Sequence, residues 1–320
     1  TFTTDAPNNG LSIDFGTLSF DPRQEVTLEF LYTVSVQDVI FADGLPLTNQ
    51  ATAFENNSFT GSVDTTAISN IVFTQPELDI TNGVVATNSP DTQTAFDPTD
   101  VGPTGVTFNA PGSATPFSGT INSNGLDATP IDANIDNVDA GDLVTFAVVV
   151  ENTGNAARGA YNVVVSDTIP TGFAEPPGGF NLQVRDGAGN TLPFTGTEAD
   201  FFTPGTGIEL TDPSINQGAI AAFNETSGAN IAIITYDLIV EQSVTSNDEL
   251  VNTATLSNFA ALDDPAATDR TPEDISDEAV ATVQDVEVSK TLVSSEESPA
   301  GVNASEVLIG EEFTFEVRYD

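Results

Sequence analysis

Carboxylates are the side chains of this sequence that recur densely enough to do chemistry. Asp127, Asp132, Asp136, Asp139 and Asp142 fall within sixteen residues, interleaved with Asn134 and Asn137. A second group, Asp263, Asp264, Asp269, Glu273, Asp274, Asp277 and Glu278, stands just before a β-rich run. Clustered carboxylates with amide and backbone carbonyl oxygens are what calcium takes, about six to eight hard oxygens in a flexible loop. Asp127, Asp132, Asp136, Asp139, Asp142, Asp263, Asp264, Asp269, Asp274 and Asp277 are therefore the candidate calcium ligands. Neither group has EF-hand spacing or that of a glycine-rich nonapeptide repeat. A solvated acidic loop has the same composition and needs no ion.

Most other chemistry is excluded by absence. The 320 residues contain no Cys, His, Met or Trp. That removes disulfides, Cys/His zinc sites, thiol nucleophiles, Ser-His-Asp triads and imidazole bases. Among 48 acids a glycosidase-like pair could be found by chance, but no pair stands out and no Trp supplies a sugar platform. Against those 48 acids stand 6 basic residues, giving a net charge of −42. Such a field repels phosphate backbones and anionic membranes, so nucleic acid is not an expected partner.

The charge does not make the chain disordered. Hydrophobic residues make up 39% and Phe alone occurs 21 times, enough to build cores beneath an acidic surface. No apolar run approaches the ~18 residues of a membrane span, and no signal peptide is visible. A sequence without methionine lacks an initiator, so it reads as a processed product or a window onto a longer polypeptide.

The chain repeats itself. Val26, Leu28, Phe30, Tyr32, Val34 and Val36 alternate with mostly polar residues, as a half-buried strand requires. The pattern returns at Ile234, Tyr236, Leu238 and Val240, with Tyr32 and Tyr236 204 residues apart. Leu47-Thr48-Asn49-Gln50-Ala51-Thr52 then matches Leu250-Val251-Asn252-Thr253-Ala254-Thr255 at an offset of 203. Ile80 aligns with Val288 at an offset of 208, whereas Gly141 aligns with Gly310 at only 169. The middle copy thus holds about forty extra residues between about 86 and 138. The expected organisation is the C-terminal part of one repeat over 1–76, a complete repeat over 77–285, and the N-terminal strands of a third over 286–320.

Strand signals dominate each copy. Val144, Phe146, Val148 and Val150 alternate with Thr145, Ala147 and Val149, and Phe313, Phe315, Val317 and Tyr319 alternate with Thr314, Glu316 and Arg318. Further β-rich runs lie at 161–165, 181–184, 250–256 and 279–292, between turn clusters such as Pro176-Pro177-Gly178-Gly179. No segment carries an apolar stripe of helical period. The fold class predicted is all-β: tandem antiparallel β-sandwiches with long loop insertions.

One run ties these signals together: Gly141-Asp142-Leu143-Val144-Thr145-Phe146, Asn152-Thr153-Gly154, then Tyr161-Asn162-Val163-Val164-Val165-Ser166-Asp167-Thr168-Ile169-Pro170-Thr171-Gly172. With Asn252-Thr253-Ala254-Thr255-Leu256 at the close, it resembles the bacterial and archaeal surface-repeat family known as domain of unknown function 11. The resemblance covers most of 77–285. It implies immunoglobulin-like sandwiches repeated in large exported surface proteins, without known catalysis. At about 205 residues this copy is longer than that family's usual size, so insertions must decorate the sandwich.

The remaining motifs have plainer readings. Lys290 begins a strand, where some pilin and adhesin sandwiches place the lysine of a Lys–Asn crosslink. The aligned position in the complete repeat is Asn82, which supplies no amine. Glu151-Asn152-Thr153-Gly154-Asn155 reads as a strand-connecting turn with Gly154 or Asn155 at positive φ. The triplets at Asn56, Asn224 and Asn303 fit glycosylation sequons but arise easily by chance in an Asn/Ser/Thr-rich chain.

These readings converge on a non-catalytic extracellular structural repeat protein at the cell surface, forming a stalk, fibre or filament. Its expected partners are neighbouring repeats or further copies of itself, with calcium as the one candidate cofactor. The alternative is an adhesin-type binding module that recognises a partner surface or glycan through loops at about 86–138 or 171–215.

Overall fold

The computed structural model describes residues 2–5, 10–19, 27–57, 61–91, 93–271, 273–285, 288–295 and 312–319. Contacts divide the chain into two units, Thr1–Asp38 and Val39–Asp320. In the first, β1 (Phe2–Asp5) and β2 (Gly10–Ile13) form an antiparallel hairpin. Residues 27–36, for which the sequence predicts a strand, carry none; Val26 lies outside the described residues. An alternating segment becomes a strand only when its backbone has partners. Its counterpart around Tyr236 is hydrogen-bonded on both sides, whereas the described strands of this unit pair only with each other.

The second unit begins with the antiparallel hairpin of β3 (Pro46–Asn57) and β4 (Gly61–Val72). Then follow β5 (Leu78–Thr87), β6 (Ala95–Asp97), β7 (Thr107–Phe108), β8 (Phe117–Ser118), α1 (Ser123–Ala128) and β9 (Asn134–Val138). Next come β10 (Leu143–Asn152), β11 (Tyr161–Thr168), β12 (Phe173–Ala174), β13 (Gln183–Asp186), β14 (Phe194–Thr195), α2 (Glu198–Phe201) and β15 (Ile208–Leu210). The long strands β16 (Ile231–Val240), β17 (Glu249–Ala260) and β18 (Ile275–Val283) precede a last hairpin, β19 (Val288–Ser295) and β20 (Phe313–Tyr319). The run expected from 181 starts two residues later, because Asn181 sits at φ 50°. The run expected over 279–292 divides into β18 and β19.

Two sheets form the central sandwich. One runs β12-β16-β10-β5, with β13 also on β16; the other runs β14-β15-β11-β17-β18-β9-β6. Number the seven framework strands in chain order as β5, β10, β11, β12/β13, β16, β17 and β18. The first sheet is then first-second-fifth-fourth and the second is third-sixth-seventh. That is the ABED/CFG topology of an immunoglobulin sandwich. The protein is therefore all-β, with the predicted sandwich at its centre. Val144, Phe146, Val148 and Val150 meet Val163, Val165, Ala254 and Leu256 in the main core. Each fully buried large side chain there is worth roughly 1.5–3 kcal/mol.

The insertion has a packing role that strict alternation does not suggest. Val85, Ala147, Val149, Ile231 and Ile233, on the outer face of the first sheet, are buried against Phe117, Ile121, Leu126 and Ile131. Hence β10 and β16 are apolar on both faces, as strands covered on both sides must be. Gly83 lets this cover close: a Cβ there would sit 2.9 Å from the backbone nitrogens of Asp132 and Ala133. In the sequence alignment that sets Gly310 against Gly141, the residues matching the outer face of β10 are polar (Thr314, Glu316, Arg318), and Thr291 matches Gly83. The segment so aligned also lacks the forty residues.

The strand pairs β5–β10 and β19–β20 share one register. Asn82 faces Val148 as Lys290 faces Val317, and Ile80 faces Val150 as Val288 faces Tyr319. Both ladders slip at the aligned residues Val85 and Val293.

Candidate functional site

The calcium candidates are spread over several elements. Asp127 lies on α1, Asp132 in the link to β9, Asp136 on β9, and Asp139 and Asp142 in the turn before β10. The Asp139 N–H donates to the Asp142 carboxylate at 2.9 Å. Burial raises the Asp139 pKa, and Asp142 and Asp91 push it the same way. Asp263, Asp264 and Asp269 lie in the loop between β17 and β18, where Asp264 and Asp269 serve local turns. Asp264 accepts the Ala266 N–H at 2.8 Å, and Asp269 accepts the Thr271 N–H and hydroxyl at 2.8 and 2.7 Å. Asp274 is exposed just ahead of β18, and Asp277 lies on it.

The fold does join the two groups at one point. Asp132 and Asp277 are neighbours across β5; burial first, then Asp277, raises the pKa of Asp132. Asp277 also accepts the Asn82 N–H at 2.8 Å. Among the described residues, no group of three or more carboxylates is placed to hold a metal ion.

The densest polar chemistry lies inside the sandwich instead. Asp167 on β11, Tyr236 on β16, Asn252 on β17 and Asn82 on β5 are all buried. The Tyr236 hydroxyl donates to Asp167 Oδ2 at 2.5 Å, and the Thr168 N–H donates to Oδ1 at 2.5 Å. Asn252 Nδ2 donates to Asp167 Oδ2 at 3.2 Å and to the Tyr236 oxygen at 2.6 Å. Asn82 Nδ2 closes the group on the Asn252 carbonyl at 3.1 Å. Phe146 stacks on Tyr236 at 5.8 Å, and Phe201 and Phe202 meet its ring edge-on at 5.4 and 5.2 Å.

Burial in this apolar surround pushes the Asp167 carboxyl up to about 7, against the opposing pull of its three hydrogen bonds. Burial likewise raises the Tyr236 hydroxyl well above its ordinary value. The cluster bonds strands of opposite sheets to one another, a polar cross-tie in a sandwich that has no cysteine. It lies closed in the core, without access for a substrate. Sequence reasoning passed over it, although the signal was present: Tyr236 and Asn252 are the residues on which the repeat was aligned, and Asp167 stands in the family-like run.

A second buried acid fastens the insertions. Asp237 accepts the Thr145 hydroxyl at 2.6 Å, the Gly112 N–H at 2.7 Å and Asn181 Nδ2 at 3.1 Å. Asn88, Gly112, Pro177, Gly178, Asn181 and Asp237 line a surface concavity there. Lys290 lies with its Nζ 4.2 Å above the Phe315 ring.

No family model matches the chain, and no curated protein does. Among solved structures, the major pilin subunit of Bacillus cereus is 9% identical, over 83% of this chain and 60% of its own, with a TM-score of 0.35. The pilus backbone protein of Streptococcus pneumoniae is 21% identical, over 40% of this chain and 45% of its own, with a TM-score of 0.30. A family 123 glycoside hydrolase from Clostridium perfringens is 12% identical, over 65% of this chain and 28% of its own, with a TM-score of 0.26. This chain spans less than two thirds of the length of each.

Proposed function

We propose that this chain is part of a non-catalytic extracellular structural array, a stalk, fibre or filament of tandem immunoglobulin-like repeats at the cell surface. The observation that carries the reading is the recurring strand pair. β19–β20 reproduces the register and the slip of β5–β10 one repeat further on. The repeats are those read from the sequence: 1–76, 77–285 and 286–320. Resemblance to the surface-repeat family supports the same reading, as do the acidic surface and the absence of oxidisable Cys and Met. The buried acid Asp167 is closed inside the sandwich and serves the fold. Electron microscopy of the full-length gene product tests the proposal: rods or fibres with a regular subunit repeat support it, and compact single particles contradict it.

A binding role is the second reading. It is favoured by the concavity around Asp237, which is bounded by both loop regions expected to carry recognition. A glycan array probed with the full chain decides it: one ligand class bound and lost in Asn181→Ala would make this an adhesin. Calcium belongs to the same proposal as a ligand of the 127–142 and 263–277 carboxylates, with a test given below.

A further inference from the structure

The Asn152-Thr153-Gly154-Asn155 segment is more than the strand-connecting turn that the sequence suggests. Neither Gly154 nor Asn155 has positive φ. The glycine is required for closeness instead. A Cβ at Gly154 would lie 2.4 Å from the Gln75 carbonyl oxygen and the Glu77 nitrogen. The backbone of 75–77, which connects the β3–β4 hairpin to β5, passes directly over it.

The polar contacts tie this crossing down. Buried Asn152 accepts the Glu77 N–H at 3.2 Å and the Gly154 N–H at 3.0 Å through Oδ1, while Nδ2 donates to the Ala221 carbonyl at 2.7 Å. The Thr153 N–H donates to the Glu77 carbonyl at 2.8 Å. From the other side comes Asp43, in the turn before β3. It accepts the Gln75 N–H at 2.9 Å through Oδ1, and the Asn155 N–H and Nδ2 at 3.2 and 2.7 Å through Oδ2. Gln75 Nε2 donates to the Phe41 carbonyl, and the Phe41 and Phe73 rings lie 5.3 Å apart beside it.

The same turn occurs one repeat later. Ala42–Leu45 and Thr245–Asp248 stand 203 residues apart. Each closes with an N–H of its fourth residue on the carbonyl of its first, at 3.3 and 3.0 Å. Each holds its third residue at positive φ, Gly44 at 73° and Asn247 at 64°. Leu45 accepts the Phe73 N–H and Asp248 the aligned Val283 N–H, both at 2.9 Å. Ser246 stands at the position of Asp43, and its hydroxyl donates to the Asp285 carboxylate at 2.7 Å, two residues past Val283.

We infer that the Asn152–Asn155 loop is a socket for the closing turn of the preceding repeat, with Asp43 as the pin that fixes it. The turn at 245–248, with Ser246 and Asp285, presents the same feature to the repeat that follows. This deepens the array reading and rests on it, since a socket of this kind has a purpose only where repeats succeed one another. The partner is thus an adjacent copy of the same fold, held at a set orientation by backbone contacts and one carboxylate.

Hydrogen exchange on the full chain tests this, read at the amides of Glu77 and Thr153, neither of which touches Asp43. If the socket acts as one unit, Asp43→Ala accelerates exchange at both by about tenfold and leaves the β10 amides unchanged. Asn155→Ala, which keeps the Asp43–Gln75 bond, does the same. Unchanged exchange at Glu77 and Thr153 in both variants overturns the inference. Should Asp43→Ala accelerate the β10 amides as well, Asn155→Ala is the deciding variant. Exchange reads contacts inside one chain, so absence of fibres would sink the array while leaving this result intact.

Discussion

Asp167 is the residue whose chemistry most constrains the central sandwich. Its carboxyl titrates near 7 when folded, against 3.8 for the ordinary group. Below about pH 4 both states hold the proton and it costs nothing. As pH rises towards 7 the unfolded chain releases its proton and the folded one keeps it, so folding loses stability. The full difference is ~4 kcal/mol at alkaline pH, from ~1.4 kcal/mol per pKa unit. Asp167→Asn keeps the shape and removes the titration. Urea unfolding between pH 4.5 and 8 is expected to show the variant gaining on the parent as pH rises; parallel curves would disprove a raised pKa. Tyr236→Phe leaves Asp167 and Asn252 short of a partner in the core, at an expected cost of ~1–3 kcal/mol at pH 5. A loss within error of zero would mean that the hydroxyl ties nothing.

At the scale of the element, the insertion and the strands it covers are one device. Gly83→Ala places a methyl against the backbone of Asp132 and Ala133, with an expected loss of ~1–3 kcal/mol. The control at the aligned position, Thr291→Ala, keeps a Cβ that is already accommodated and should change stability by less than ~0.5 kcal/mol. Equal losses at the two sites would refute the account. Framework strands were legible in the sequence because β17 and β20 alternate cleanly and the repeat offsets aligned them. Burial of both faces of β10 was also written there, in the unbroken apolar run from Phe146 to Val150, which a strictly alternating pattern does not have. The strand expected over 27–36 failed for a different reason: alternation records which face is apolar and says nothing of whether a partner strand is at hand. Neither carboxylate group is one structural unit, because neighbours in sequence lie on α1, β9, turns and a long loop. What brings Asp132 and Asp277 together is β5, where the Asn82 N–H donates to Asp277 and Gly83 lies against the Asp132 backbone, a juxtaposition no local spacing encodes.

At the scale of the whole molecule, 42 net negative charges oppose compaction. Screening should relieve this, so the melting midpoint is expected to rise with NaCl. Calcium adds a separate test. At matched ionic strength, CaCl2 should raise the midpoint further than NaCl, and EDTA should reverse the difference; equal effects of the two salts exclude a specific calcium site. The central claim, a chain of like sandwiches in series, is tested most directly by stretching the full-length gene product under force. A complete repeat such as 77–285 spans about 70 nm when extended, at ~3.5 Å per residue. The account predicts a sawtooth in which successive unfolding events release lengths of that order or shorter by the forty-residue insertion. A single unfolding event, or lengths without a common unit, would contradict it.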